Sequence, residues 1–169
     1  MNTSNKEAGF TLIEIIIVVV ILALLAVIAI PSYSSFIKHR KLVGLSEEAY
    51  HDIGYARSEA ISSGKDTTLN IKVGSSWCYG VTAKDSCNCS QADSCEIAQV
   101  DSHQYPGVFM SAAGITSGSL HFSQSRGAIN EAASLEFQMD DSLIRIDVNK
   151  QGYASICKTG SIGDYKECE

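Results

Sequence analysis

The stretch whose reading decides the fold is Gly9–Pro31, GFTLIEIIIVVVILALLAVIAIP. From Ile15 to Ile30 it holds sixteen consecutive apolar residues. A helix rises about 1.5 Å per residue, so Phe10–Ile30 spans roughly 31 Å, the hydrocarbon thickness of a bilayer. A carboxylate, Glu14, sits inside the apolar start of the run. A charge at that depth is costly, which makes it a functional signal in its own right.

Beyond the run, Pro31 cannot donate a backbone hydrogen bond and should kink or loosen the helix near Ile30. A helical pattern then resumes. Tyr33, Phe36, Leu42, Leu45, Ala49, Ile53, Ala56 and Ala60 recur mostly at steps of three and four, between largely polar neighbours. That is an amphipathic helix with one apolar stripe, stopped at Gly64. The reading is therefore one helix over 10–64, on the order of 80 Å long. Residues 10–30 are apolar all round, forming a transmembrane segment, and 31–64 are apolar on one face.

From Thr67 the period changes to two. Leu69, Ile71 and Val73 alternate, and Trp77–Val81, Val108–Met110 and Leu120–Phe122 are short strand candidates. Leu135, Phe137 and Met139, then Ile144, Ile146 and Val148, alternate on either side of Asp140-Asp141. Tyr153–Cys157 follows the turn Lys150-Gln151-Gly152. Short strands with close turns predict an antiparallel sheet, and the stripe Leu45–Ala60 can cover its apolar face. The fold class is α+β: a short polar segment over 1–9, the long helix, and a β head over 65–169. Ser111–Ser119 reads as a loop.

Six cysteines point to disulfides and an oxidising compartment. Cys78, Cys87, Cys89 and Cys95 cluster in a polar loop, while Cys157 and Cys168 lie near the C-terminus. The simplest framework is Cys157–Cys168 plus two bridges in the first group. Six cysteines nevertheless permit about fifteen connectivities, and a zinc site built from the cluster is the alternative, although the usual paired-cysteine knuckles are absent. His39, His51, His103 and His121 are scattered, with no nucleophile motif or phosphate loop. The sequence predicts no enzyme, no cofactor and no metal. The net charge of −6 argues against generic nucleic-acid binding.

The leader MNTSNKEAG is too short and polar for an ordinary secretory signal. The basic run Lys38, His39, Arg40 and Lys41 would, by the positive-inside rule alone, hold the C-terminal side in the cytoplasm. The cysteines argue the opposite topology.

The motif G-F-T-L-I-E, followed by a long aliphatic run and a proline, resembles the class III signal sequences of type IV prepilins and pseudopilins. The resemblance implies that a prepilin peptidase cuts after Gly9 and methylates the amine of Phe10. Glu14 is then the fifth mature residue. In a bundle of staggered helices it would pair with a neighbour's amine and set register; the alternative is that it serves only the processing enzyme. The segment YARSEA, Tyr55–Ala60, followed by a strand, resembles the GspH/FimT (FimU-like) branch of minor pilins.

This implies a minor pilin for pilus assembly, priming or tip structure. Its partners would be other minor pilins, a major pilin, the peptidase and an inner-membrane assembly platform. The head would lie in the periplasm and later on the pilus, at its tip. A type II secretion pseudopilin is one alternative, and a plain membrane-anchored protein is another. A third is a DNA-binding minor pilin using Arg126, Arg145, Lys150, Lys158 and Lys166, although the tail CKTGSIGDYKECE lacks that group's basic G-R-x-R-type motif. Arg57 and Glu59 are either a solvated face or a subunit contact.

Overall fold

The computed structural model describes residues 10–115 and 118–168, with the side chains of 28–32 excepted. Helix α1 spans Leu12–Ser63. The chain divides between Ile37 and Lys38 into two compact units. In the first, the large apolar side chains from Leu12 to Val27 are 47–79% exposed. Among the described residues no helix is long and apolar enough to cross a membrane. The end of the apolar run and the kink expected at Pro31 fall on the side chains outside the description, as does the leader.

Among the described residues the second unit carries nine strands: β1 Thr67–Lys72, β2 Cys78–Thr82, β3 Ala98–Asp101, β4 Phe109–Ala113, β5 Ser119–Phe122, β6 Ala133–Met139, β7 Ser142–Val148, β8 Ala154–Thr159 and β9 Lys166–Glu167. They form two sheets rather than the one expected, ordered β3-β2-β1-β5 and β4-β6-β7-β8-β9. The sheets meet where Gly74 and Met110 exchange backbone hydrogen bonds of 2.9 and 3.3 Å. The helix stripe buries Leu42, Leu45, Ala49, Ile53, Ala56 and Ala60 to 1% exposure or less. Tyr33 and Phe36, which share its spacing, are exposed.

The two sheets are buried differently. In β6 and β7 buried residues alternate with partly exposed ones, the pattern of a sheet covered on one face. In contrast, β2 is buried at every position. Leu69, Ile71, Tyr79 and Val81 point to the core, and the loop between β2 and β3 folds over the other face. Asn70 donates to Cys87 Sγ at 3.4 Å and Gln99 donates to the carbonyls of Cys89 and Gln91. The single tryptophan, Trp77, stands edge-on to Phe137 with centroids 5.8 Å apart, and donates to the Val108 carbonyl at 2.9 Å.

Three expectations need correction. β3 was not foreseen, because Ala98–Asp101 has no alternation of its own and is a strand only through its pairing with β2. The expected loop Ser111–Ser119 begins inside β4, since Ser111–Ala113 pair with β6. The sheet is not wholly antiparallel: β9 runs parallel to β8, held by Cys168 N–H on the Lys158 carbonyl at 2.9 Å and by a disulfide.

Candidate functional site

At the start of α1, Phe10 and Thr11 lie outside the helix and Phe10 is 80% exposed. Thr11 is the N-cap. Its carbonyl accepts from Glu14 N–H at 3.1 Å and Ile15 N–H at 3.3 Å, and its hydroxyl accepts from Glu14 N–H at 3.3 Å. The spacing T-x-x-E is that of a capping box. Glu14 therefore stands exposed in the first turn, where the helix dipole favours a carboxylate. Gly9, on the other side of the expected cleavage bond, lies outside the described residues.

The exposed apolar run after Glu14 is surface that water tolerates poorly.

The head is fixed to α1 by a row of polar contacts that the hydrophobic stripe does not reveal. Tyr165 donates to Glu47 at 2.9 Å, Tyr105 to Glu48 at 2.7 Å and Tyr79 to Asp52 at 2.9 Å. Burial and the nearby carboxylates push the Tyr105 and Tyr165 hydroxyls up to about 12, so both remain donors at physiological pH. Burial raises the Asp52 carboxyl above its ordinary value, with the Tyr79 bond opposing and Glu48 reinforcing the rise.

Lower on the same helix, Arg57 donates Nε to the Gln151 carbonyl at 3.1 Å and Nη2 to the Arg126 carbonyl at 3.3 Å. Its guanidinium lies 4.0 Å from the centroid of the Tyr153 ring. Arg57 is thus not simply a solvated residue: within this chain it is a clasp on two turns. The cause is local: Gly127 and Gly152 both take positive φ, and a Cβ on Gly152 would overlap the Gly127 carbonyl oxygen. Charged residues beside an apolar stripe were the available signal; only the tertiary contacts separate a clasp from a wet surface.

The structure joins Cys78–Cys89, Cys87–Cys95 and Cys157–Cys168. All six cysteines are engaged and none remains as a thiolate ligand. Among the described residues no group of His, Cys, Asp and Glu is arranged to hold a metal.

The five basic candidates fall into two groups, Arg126 and Lys150 on neighbouring turns and Arg145, Lys158 and Lys166 on the adjacent strands β7, β8 and β9. Arg126 and Lys150 sit on neighbouring turns, joined by Ile129 N–H on the Lys150 carbonyl at 3.0 Å. Arg145 lies mid-strand in β7 and pairs with Asp147 at 3.2 Å. Lys158 donates to the Gly163 carbonyl at 3.1 Å, and Lys166 is on β9.

Residues 45–152 match the family model of the type II transport protein GspH, and residues 4–30 match that of the prokaryotic N-terminal methylation motif. The fold is similar to the type IV minor pilin FimU of Pseudomonas aeruginosa, at 16% identity, over 72% of this chain and 91% of that one, with a TM-score of 0.51. It is equally similar to the minor pseudopilin EpsH of the Vibrio cholerae type 2 secretion system, at 17% identity, over 72% of this chain and 99% of that one, with a TM-score of 0.51. At these identities the likeness is one of fold. No curated protein matches the sequence.

Proposed function

This chain belongs to the family of the type II transport protein GspH, and on that premise we propose that it is a minor pilin of a type IV pilus, working by helix packing in the filament core and by head-to-head contacts. The family and the two similar folds are those of pilins and pseudopilins, so the chain is a structural subunit and not an enzyme. One observation carries the reading: an N-terminal methylation motif leads directly into a helix that also forms the core stripe of a GspH head.

In this reading the chain inserts once in the inner membrane, head outward in the periplasm. The prepilin peptidase removes residues 1–9 and methylates Phe10, and the assembly platform passes the subunit to the other minor pilins and a major pilin. The exposed apolar residues of α1 exchange lipid for neighbouring helices. Glu14 meets a neighbour's amine, and that pairing offsets the desolvation of both charges only in correct register. The carboxylate–tyrosine row and the Arg57 clasp then fix how the head follows its helix.

The test is an intact mass, unreduced, of protein recovered from sheared surface filaments. A mass lacking residues 1–9, heavier by the net CH2 of one N-methylation and lighter by six hydrogens, supports the reading. An unprocessed mass confined to membranes overturns it in favour of a plain anchored protein. The family's own description favours a second reading, a type II secretion pseudopilin. A processed mass found only in membranes supports that one.

A further inference from the structure

We propose that the basic run Lys38-His39-Arg40-Lys41 is a collar that binds anionic phospholipid headgroups where the chain leaves the bilayer. The inference rests on residues 10–30 being a membrane span, as in the reading above. That reading gives the run no use, and with the head outward it lies on the side where the positive-inside bias disfavours it. Charge is sharply divided along the chain. The run holds three Lys and Arg in four residues, while residues 42–169 hold 9 Lys and Arg against 17 Asp and Glu, a net of −8.

The four residues lie within α1; Lys38, Arg40 and Lys41 are exposed and His39 is half-buried. Successive residues of a helix point about 100° apart, so the four ring the axis within a rise of about 4.5 Å. One face of a partner protein would meet only one side of such a ring. A leaflet pierced by the helix meets all of it. In sequence Lys38 follows Ile30 by eight residues, about 12 Å at the helical rise. The headgroup layer extends roughly 5–8 Å outside the hydrocarbon, and long basic side chains reach back toward it. Lys38 shares its charge with Asp140 at 2.8 Å, but the two side chains are 51% and 66% exposed, and such a pair is weak. The acidic head is repelled by the same surface, so the collar holds headgroups while the head is kept off them.

The experiment places the full chain in phosphatidylcholine nanodiscs with a trace of spin-labelled lipid, and reads by electron spin resonance the fraction of label held against the protein. Wild type is expected to prefer labelled phosphatidylglycerol over labelled phosphatidylcholine roughly fivefold at low salt, the usual scale for one cation at an anionic surface. Arg40→Gln with Lys41→Gln should lose most of that preference. Arg40→Lys with Lys41→Arg keeps the charge and should stay within about twofold of wild type. Equal binding of the two lipids by the wild-type chain overturns the proposal and leaves the run to an acidic face of a neighbouring subunit. So does a preference that survives the double glutamine variant. If inorganic phosphate abolishes the preference where chloride of equal ionic strength does not, the run is a site for a free anion and the lipid assignment fails. If the chain does not stay in the nanodiscs, the membrane-span reading falls, and this proposal with it.

Discussion

Gly152→Ala gives a direct measure of how closely α1 is held by the head. Alanine there must adopt φ +80°, and its Cβ overlaps the Gly127 carbonyl oxygen while lying 3.2 Å from Arg57 Cδ. The left-handed conformation alone costs about 1–2 kcal/mol. Relieving the overlap moves the turn that carries the Gln151 and Lys150 carbonyls, acceptors for Arg57 and Ile129. Weakening one charged and one neutral hydrogen bond adds about 2–3 kcal/mol.

The total, about 3–5 kcal/mol, is a large share of the stability of a domain this size. Gly64→Ala is the control: φ is +65° but nothing lies within 4 Å of the new Cβ, so only the conformational cost applies, at the lower end of that range for an exposed helix end, about 1 kcal/mol. The assay is urea unfolding of the oxidised full chain in detergent, followed by the fluorescence of Trp77, which is 1% exposed in the core. With a slope of about 2 kcal/mol per molar urea, the midpoints should fall by roughly 2 M and 0.5 M. Equal shifts for the two variants would refute the close approach of the two turns and the clasp built on it.

Other expectations test neighbouring parts. Arg57→Lys should destabilise nearly as much as Arg57→Ala, about 1.5–3 kcal/mol by urea titration, because an ammonium can neither reach two carbonyls in a fork nor stack on Tyr153 in the same way. Asp52→Asn should stabilise the head slightly at pH 7, by urea titration, because burial penalises the charged carboxylate. The sign follows from the raised carboxyl: the charged form is penalised above both its folded and unfolded values, and the penalty vanishes below the ordinary carboxylate value. The gain should therefore fade in titrations near pH 3. Replacing Cys157 and Cys168 together by serine should cost at most about 3 kcal/mol. Amide exchange should show the loss of protection confined to β9 and its contact with β8. Glu14→Leu should be processed and retained in membranes but absent from sheared filaments, and its recovery there at wild-type levels would remove the register role of that carboxylate.

The sequence by itself determined the long helix, the stripe Leu42–Ala60 and the alternating hairpin β6–β7. Each is set by local periodicity: 3.6 residues per turn or 2 per strand repeat, with Asp140-Asp141 turning between. It offered a simplest cysteine framework but left about fifteen connectivities open, and the fold chose among them. Tertiary structure alone decided the rest. β3 and β9 have no pattern of their own and exist through a partner edge. The complete burial of β2 comes from a stapled loop lying on its second face, which an alternating pattern cannot foretell. Glu47, Glu48, Asp52 and Arg57 read in sequence as any charged helix flank. Their partners Tyr165, Tyr105, Tyr79 and the turns at Gly127 and Gly152 lie 27 to 118 residues away. A charge's role is fixed by what folds against it, and that information is not local.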